Sequence, residues 1–159
     1  MSTIKTNAIT TVAGKPILNS TGSILQVVYA SSTGTASGSD STWVASPLSG
    51  SITPSSSSSK ILLYFDLPNN YCAGAPDIYL RMKRSGTVIG NYYLSQGYSN
   101  TLNAGSRRHY MHIQYLDSPA TTSAITYTIE AFSSGGGTYY FPFPSDRGTH
   151  SLIMMEVSA

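Results

Sequence analysis

Helical periodicity is almost missing from this chain. What recurs instead is a short run of β-branched and aromatic residues, closed each time by a cluster of Gly, Pro, Ser or Asn. Such runs predict strands over residues 25–30, 41–45, 48–53, 60–67, 78–84, 87–94, 108–116, 124–132, 138–143 and 151–157. Between two of the best of them stands Ser85-Gly86, the tightest hairpin signal in the sequence. Asp117-Ser118-Pro119 and Asp146-Arg147-Gly148 mark wider loops, and the five serines Ser55–Ser59 after Pro54 mark another. Short strands at near-regular spacing predict an all-β chain: one antiparallel β-sandwich or jelly-roll-like domain over residues 25–159.

Residues 1–24 carry no sustained strand or helix pattern. Ile4, Ile9, Val12, Ile17 and Leu18 are scattered among Thr, Asn, Lys and Gly, and Gly14-Lys15-Pro16 and Thr21-Gly22 break the segment twice. We read it as an extended N-terminal arm that needs something to lie against, with those five apolar residues as its docking contacts.

Alternation within the strands says which side faces the core. Ile78, Leu80 and Met82 point one way and Tyr79, Arg81 and Lys83 the other. Met111, Ile113 and Tyr115 oppose Tyr110, His112 and Gln114 in the same way. Residues 61–65 and 152–155 break the rule by being apolar on both faces. One face of each sheet in a small antiparallel sandwich meets water, so these two strands predict an outer face covered by another chain.

Chemistry is sparse. Charged residues are 10% of the 159 and the formal net charge is +2, too weak a field to argue for nucleic acid. No run is long and apolar enough for a signal peptide or a membrane span, so no membrane insertion is expected. Cys72 is the only cysteine and reads as a small buried apolar residue. His109 and His112, three apart in one strand, fall on opposite faces and cannot chelate one metal as a local pair. Asp66 and Asp77 are the only plausible carboxylate pair, and they read more simply as turn-capping residues. The sequence carries no G-x-S-x-G, no phosphate loop and no dinucleotide fingerprint. We therefore expect no enzyme activity and no cofactor.

Binding is the better prospect. Twelve tyrosines outnumber four phenylalanines and one tryptophan. Tyrosine joins a flat apolar face to a hydroxyl at low entropy cost, which suits sugar rings and protein partners alike. Tyr71, Tyr92, Tyr93, Tyr98, Tyr139 and Tyr140 fall near loops or strand ends, and with Arg107 and Arg108 they are the candidate glycan or partner contacts. In the pairs Tyr92-Tyr93 and Tyr139-Tyr140 one ring points in and one out. Arg81, Lys83, Arg84, Arg107, Arg108 and His109 would form a basic patch if their two strands pair.

Several segments resemble virion proteins of tailed bacteriophages, especially those of cyanobacterial and marine phages. They are Thr6-Asn7-Ala8-Ile9-Thr10-Thr11-Val12-Ala13-Gly14-Lys15-Pro16-Ile17-Leu18, then Gly22-Ser23-Ile24-Leu25-Gln26-Val27-Val28, Ser51-Ile52-Thr53-Pro54 through Ser59-Lys60-Ile61-Leu62, the run 115–123 and the closing 151–157. The resemblance implies a trimeric β-rich virion component of the tail-fibre, collar-fibre or capsid-decoration type, and the lack of a signal-peptide pattern adds the expectation that it is made in a host cytoplasm. Its partners would be further copies of itself, other virion proteins and a host-surface glycan. A capsid decoration protein and a lectin-like carbohydrate-binding module are the alternatives to a fibre. Residues 68–105 match least, and specificity for host or partner is expected there.

Overall fold

The computed structural model describes residues 21–39, 42–73, 77–94, 107–134, 138–142 and 148–159. The arm residues Ile4, Ile9, Val12, Ile17 and Leu18, and Tyr98, lie outside these. The described residues form ten strands: β1 (Ile24–Ser32), β2 (Ala36–Ser39), β3 (Val44–Ile52), β4 (Lys60–Ala73), β5 (Asp77–Arg84), β6 (Thr87–Leu94), β7 (Arg107–Asp117), β8 (Ile125–Ser134), β9 (Thr138–Phe141) and β10 (His150–Val157). They pair antiparallel into two sheets, which pack as a β-sandwich, the predicted class.

The first sheet runs β1-β10-β4-β9-β2, with β7 on the other side of β4. The 14-residue β4 is its spine: Lys60–Asp66 pair with β10, and Tyr71–Ala73 pair with β9. A bulge between Leu67 and Asn70, with Asn69 at φ 57°, separates the two halves. The second sheet runs β3-β8-β5-β6. Between the sheets lies a core that includes Leu48, Ile61, Leu63, Phe65, Leu80, Met82, Tyr127, Ile129, Leu152 and Met154, each at most 1% exposed. Gly50 marks where the sheets approach closely, since a Cβ there would stand 2.6 Å from Met154 and 3.0 Å from Leu152.

Alternation predicted the core correctly in β5 and β7. Ile78, Leu80, Met82, Met111 and Ile113 are buried, and Tyr115 packs against them half-buried. Ser85-Gly86 forms the expected two-residue hairpin, with Arg84 opposite Thr87 and both loop residues at positive φ (45° and 87°). Cys72 is fully buried.

Three expectations change. Residues 41–45 and 48–53 are not two strands. Val44–Ile52 is one strand with an irregularity between Ala45 and Ser49, and it tolerates Pro47 because β3 is a sheet edge. β2 is a strand made of Ala-Ser-Gly-Ser, a composition without strand propensity. It pairs with β9, and Gly38 is needed there because a Cβ would meet the Tyr139 hydroxyl at 2.6 Å. The basic patch does not form as one surface, because β5 pairs with β6 and β8 while β7 pairs with β4 in the other sheet.

Candidate functional site

The sandwich offers two outer faces, and they differ in chemistry. On the first sheet the register sets outward residues in rows across four strands. One row is Val27, Met155, Leu62 and Leu116, and the next is Tyr29, Ile153, Tyr64 and Gln114. The third row, Ser31, Ser151, Asp66 and His112, is polar, with His112 Nδ1 3.3 Å from Asp66 Oδ1. The first two rows hold no charged group. Val27, Tyr29 and Leu116 are 58%, 62% and 50% exposed. The doubly apolar runs in β4 and β10 are thus neighbours on one bare sheet face, and β1 and β7 extend it. Sequence periodicity found the two central strands. It missed Val27, Tyr29 and Leu116, whose strands look ordinary until the register places them beside β10 and β4.

The second sheet turns an aromatic row outward. Trp43, just ahead of β3, then Phe132, Tyr79 and Tyr93 on β8, β5 and β6 follow one another, with centroid separations of 5.2, 5.6 and 4.9 Å. The neighbouring row is polar: Glu130, Arg81 and Asn91. Arg81 Nε donates to Glu130 Oε2, and the guanidinium carbon lies 4.2 Å above the centroid of the Trp43 ring. Lys83 Nζ donates to Glu130 Oε1 at 2.9 Å. Burial alone would raise the Glu130 pKa, but the bonds from Lys83 and Arg81 outweigh it and hold the carboxyl below its ordinary value. Beside the row opens a cleft of about 300 Å³ lined by Trp43, Tyr79, Leu80, Asn91, Tyr92 and Tyr93. A second recess of about 290 Å³ lies on the other side of Tyr92 and Tyr93, toward Tyr110 and Met111.

The tyrosines singled out from the sequence do not converge. Tyr92 is half-buried and Tyr93 is 54% exposed, and both line the cleft; they divide inward and outward as expected. Tyr139 is buried and donates its hydroxyl to Ala131 O at 2.9 Å, and burial pushes its pKa up to about 12. Its neighbour Tyr140 is half-buried against Tyr71, ring to ring at 5.8 Å, in the first sheet. Arg107 and Arg108 open β7, in the other sheet from β5, and the Arg108 side chain is exposed. Trp43, Phe132 and Tyr79 were missed as contacts. A signal existed, since an aromatic at an outward position of a strand wastes apolar surface unless something covers it.

Asp66 and Asp77 belong to different sheets. Among the described residues, no three His, Cys, Asp or Glu side chains stand close enough together to hold a metal ion.

No protein-family model and no curated protein sequence matches the chain. Among solved structures, the crystal structure of the infectious bursal disease virus VP2 subviral particle is similar, with a TM-score of 0.40 and 12% identity. The match covers 86% of this chain but 38% of that one, so this chain spans well under half of that protein's length. No role follows for this chain from a likeness of that depth.

Proposed function

We propose that this chain is a non-enzymatic structural protein of a virus particle, a homotrimeric fibre-type subunit. It assembles through the bare face of its first sheet and turns its second sheet toward the host surface. The two uncharged apolar rows on the first sheet carry the reading. Contiguous exposed apolar surface marks an interaction site in a soluble protein. Its occupant is a further copy of the same chain, because like copies bring equally uncharged rows and bury no unpaired charge. Residues 1–20 add contacts to neighbouring subunits through Ile9, Val12, Ile17 and Leu18. The sequence resemblance to phage virion proteins supports the particle as the setting.

Two experiments test this. Val27→Lys with Leu116→Lys places two charges in the contact while touching side chains that are already half exposed, so the fold loses little. We expect the trimer to dissociate at concentrations on the order of a hundredfold higher or more, from two lost burials at about 1.5–3 kcal/mol each, read by sedimentation equilibrium. A wild-type chain that is monomeric, or a double variant of unchanged mass, refutes the assembly face. Removing residues 1–20 leaves every described strand intact and is expected to weaken the trimer and abolish incorporation into particles. Normal incorporation of that truncated chain refutes the docking role of the arm.

A further inference from the structure

We propose that the outer face of the second sheet is a binding platform for a neutral saccharide chain, with Trp43, Phe132, Tyr79 and Tyr93 as its floor and Asn91 and Arg81 as its hydrogen-bonding rim. This deepens the host-facing half of the reading above and stands apart from the assembly half.

The argument begins with shape. A pyranose ring is apolar on its flat faces, where C–H bonds point, and polar around its edge, where the hydroxyls lie. A surface that binds it needs an aromatic floor and, one short step away, fixed donors and acceptors. The register supplies both. The rings lie in one row at the spacing of neighbouring strands, about 5 Å, which is comparable to the repeat of a sugar in an extended polysaccharide. The rim row lies two residues along the same strands, at Asn91, Arg81 and Glu130.

Preorganisation comes next. Arg81 is fixed twice, by its Nε on Glu130 and by its guanidinium carbon 4.2 Å over the Trp43 ring, so its guanidinium is held in place before any ligand arrives. Tyr93, at the edge strand, is 54% exposed and closes the cleft with Tyr79, Tyr92 and Asn91. Cross-strand aromatic pairs can stabilise a sheet without binding anything. A purely structural row, however, needs neither a cleft of about 300 Å³ at its end nor an oriented polar row beside it. The apolar face of the first sheet lines neither recess.

Charge selects the class of sugar. Among the described residues, no carboxylate, ammonium or guanidinium lines the cleft, and beside it Arg81 and Lys83 are both engaged by Glu130. A neutral ligand gives up no ionic hydration on entering, whereas an acidic one would find its counter-charge already engaged.

Trp43 is the only tryptophan in the chain, so its emission reports on the floor directly. The full-length protein is titrated with cellohexaose, maltohexaose and an oligoguluronate, at about 0.1 M and about 1 M salt. We expect a saturable change in Trp43 emission with at least one neutral hexasaccharide, unaltered by salt. Tyr93→Ala, an exposed-side-chain variant that preserves the fold, is expected to weaken it about tenfold, and Asn91→Ala to weaken it as well. Repeating the titration on Val27→Lys/Leu116→Lys separates a failure of sugar binding from a failure of assembly. The proposal is overturned by no change with either neutral sugar, by a response confined to the oligoguluronate and lost at high salt, or by equal affinity in Tyr93→Ala. An emission change that follows protein concentration alone would also overturn it, since it would place another copy of the chain on the platform.

Discussion

Acidification from about pH 7 to about pH 2 is expected to remove about 6 kcal/mol of folding stability through two buried groups in β10, His150 and Glu156. His150 is fully buried, with Nε2 3.0 Å from Pro68 O. A carbonyl only accepts, so the ring carries its proton on Nε2. Nδ1 has no partner among the described residues, and a second proton would be placed there in a dry site. Burial is accordingly the largest influence. It outweighs the opposing pull of Pro68 O and Asp66 and lowers the pKa from 6.5 to about 4. Glu156 is also fully buried, yet it is ionised. Its Oε2 accepts from Gln26 Nε2 at 2.6 Å, and its Oε1 accepts from the Ser55 backbone N–H and hydroxyl, both at 2.7 Å. The Ser59 hydroxyl stands nearby, outside good hydrogen-bond geometry. Here burial pushes the pKa up, and the hydrogen bonds outweigh it, bringing it from 4.5 down to about 2.

Both folded pKa values are depressed, so both groups contribute stability that is full above their unfolded pKa and is lost as pH falls. His150 loses its share between pH 6.5 and about 4, and Glu156 between 4.5 and about 2. At about 1.4 kcal/mol per pK unit, each accounts for about 3 kcal/mol. Thermal unfolding across pH checks this. The Tm of the wild type should fall through both windows, His150→Gln should flatten the upper window alone, and Glu156→Gln the lower one alone. A wild-type Tm that stays level between pH 6.5 and pH 4 would show that His150 is not held neutral by burial.

These two residues also show where sequence reasoning stops. The inward–outward periodicity of β5 and β7 is a local property, and it was readable: Ile78, Leu80, Met82, Met111 and Ile113 were placed in the core from spacing alone. Glu156 lies in the closing strand and was counted only as one acid among seven. Nothing local distinguishes it from a solvated glutamate. It is set apart by Ser55, 101 residues away in sequence, which wraps it from a run that reads as low-complexity loop. The aromatic platform failed for the same reason. Phe132, Tyr79 and Tyr93 come from three strands and Trp43 from the residue leading into a fourth, and they become one row only through register. The sequence reading weighted tyrosine by number and by nearness to loops, which selected Tyr71 and Tyr139 and passed over the lone tryptophan. The bare face of the first sheet was half legible, because β4 and β10 carry their apolar excess in continuous runs, whereas β1 and β7 contribute single residues.

Asp117→Ala is expected to cost about 3 kcal/mol, because it strands two partners at once. Asp117 ends β7 in the first sheet, with a side chain 6% exposed. From the second sheet, Arg84 Nη1 donates to both its oxygens, at 2.8 and 3.0 Å, and the Tyr127 hydroxyl donates to Oδ2 at 2.6 Å. Tyr127 is fully buried, and burial together with its bond to Asp117 raises its pKa well above the ordinary value. Removing the carboxylate leaves the Tyr127 hydroxyl without its acceptor inside the sandwich and the Arg84 guanidinium with only its long bond to Ser118 O at 3.4 Å in place of a counter-charge. The Arg84 side chain is 27% exposed and regains part of its hydration, which keeps the cost toward the lower end for a broken buried pair. Tyr127→Phe should cost about 1 kcal/mol, since Arg84 still answers the charge. Asp117→Asn should fall between the two. Urea unfolding measures all three, and a loss below about 1 kcal/mol for Asp117→Ala would show that the three groups do not act as one unit. The consequence reaches past stability. These bonds join β7 to β5 and β8, the strands that carry Leu116 on one outer face and Tyr79 and Phe132 on the other. An assembly face and a saccharide platform on opposite sides of one sandwich stay in fixed relation only while the sheets cannot slide. Asp117→Ala at a temperature where it remains folded should therefore loosen the Trp43 environment as well as the first-sheet contact.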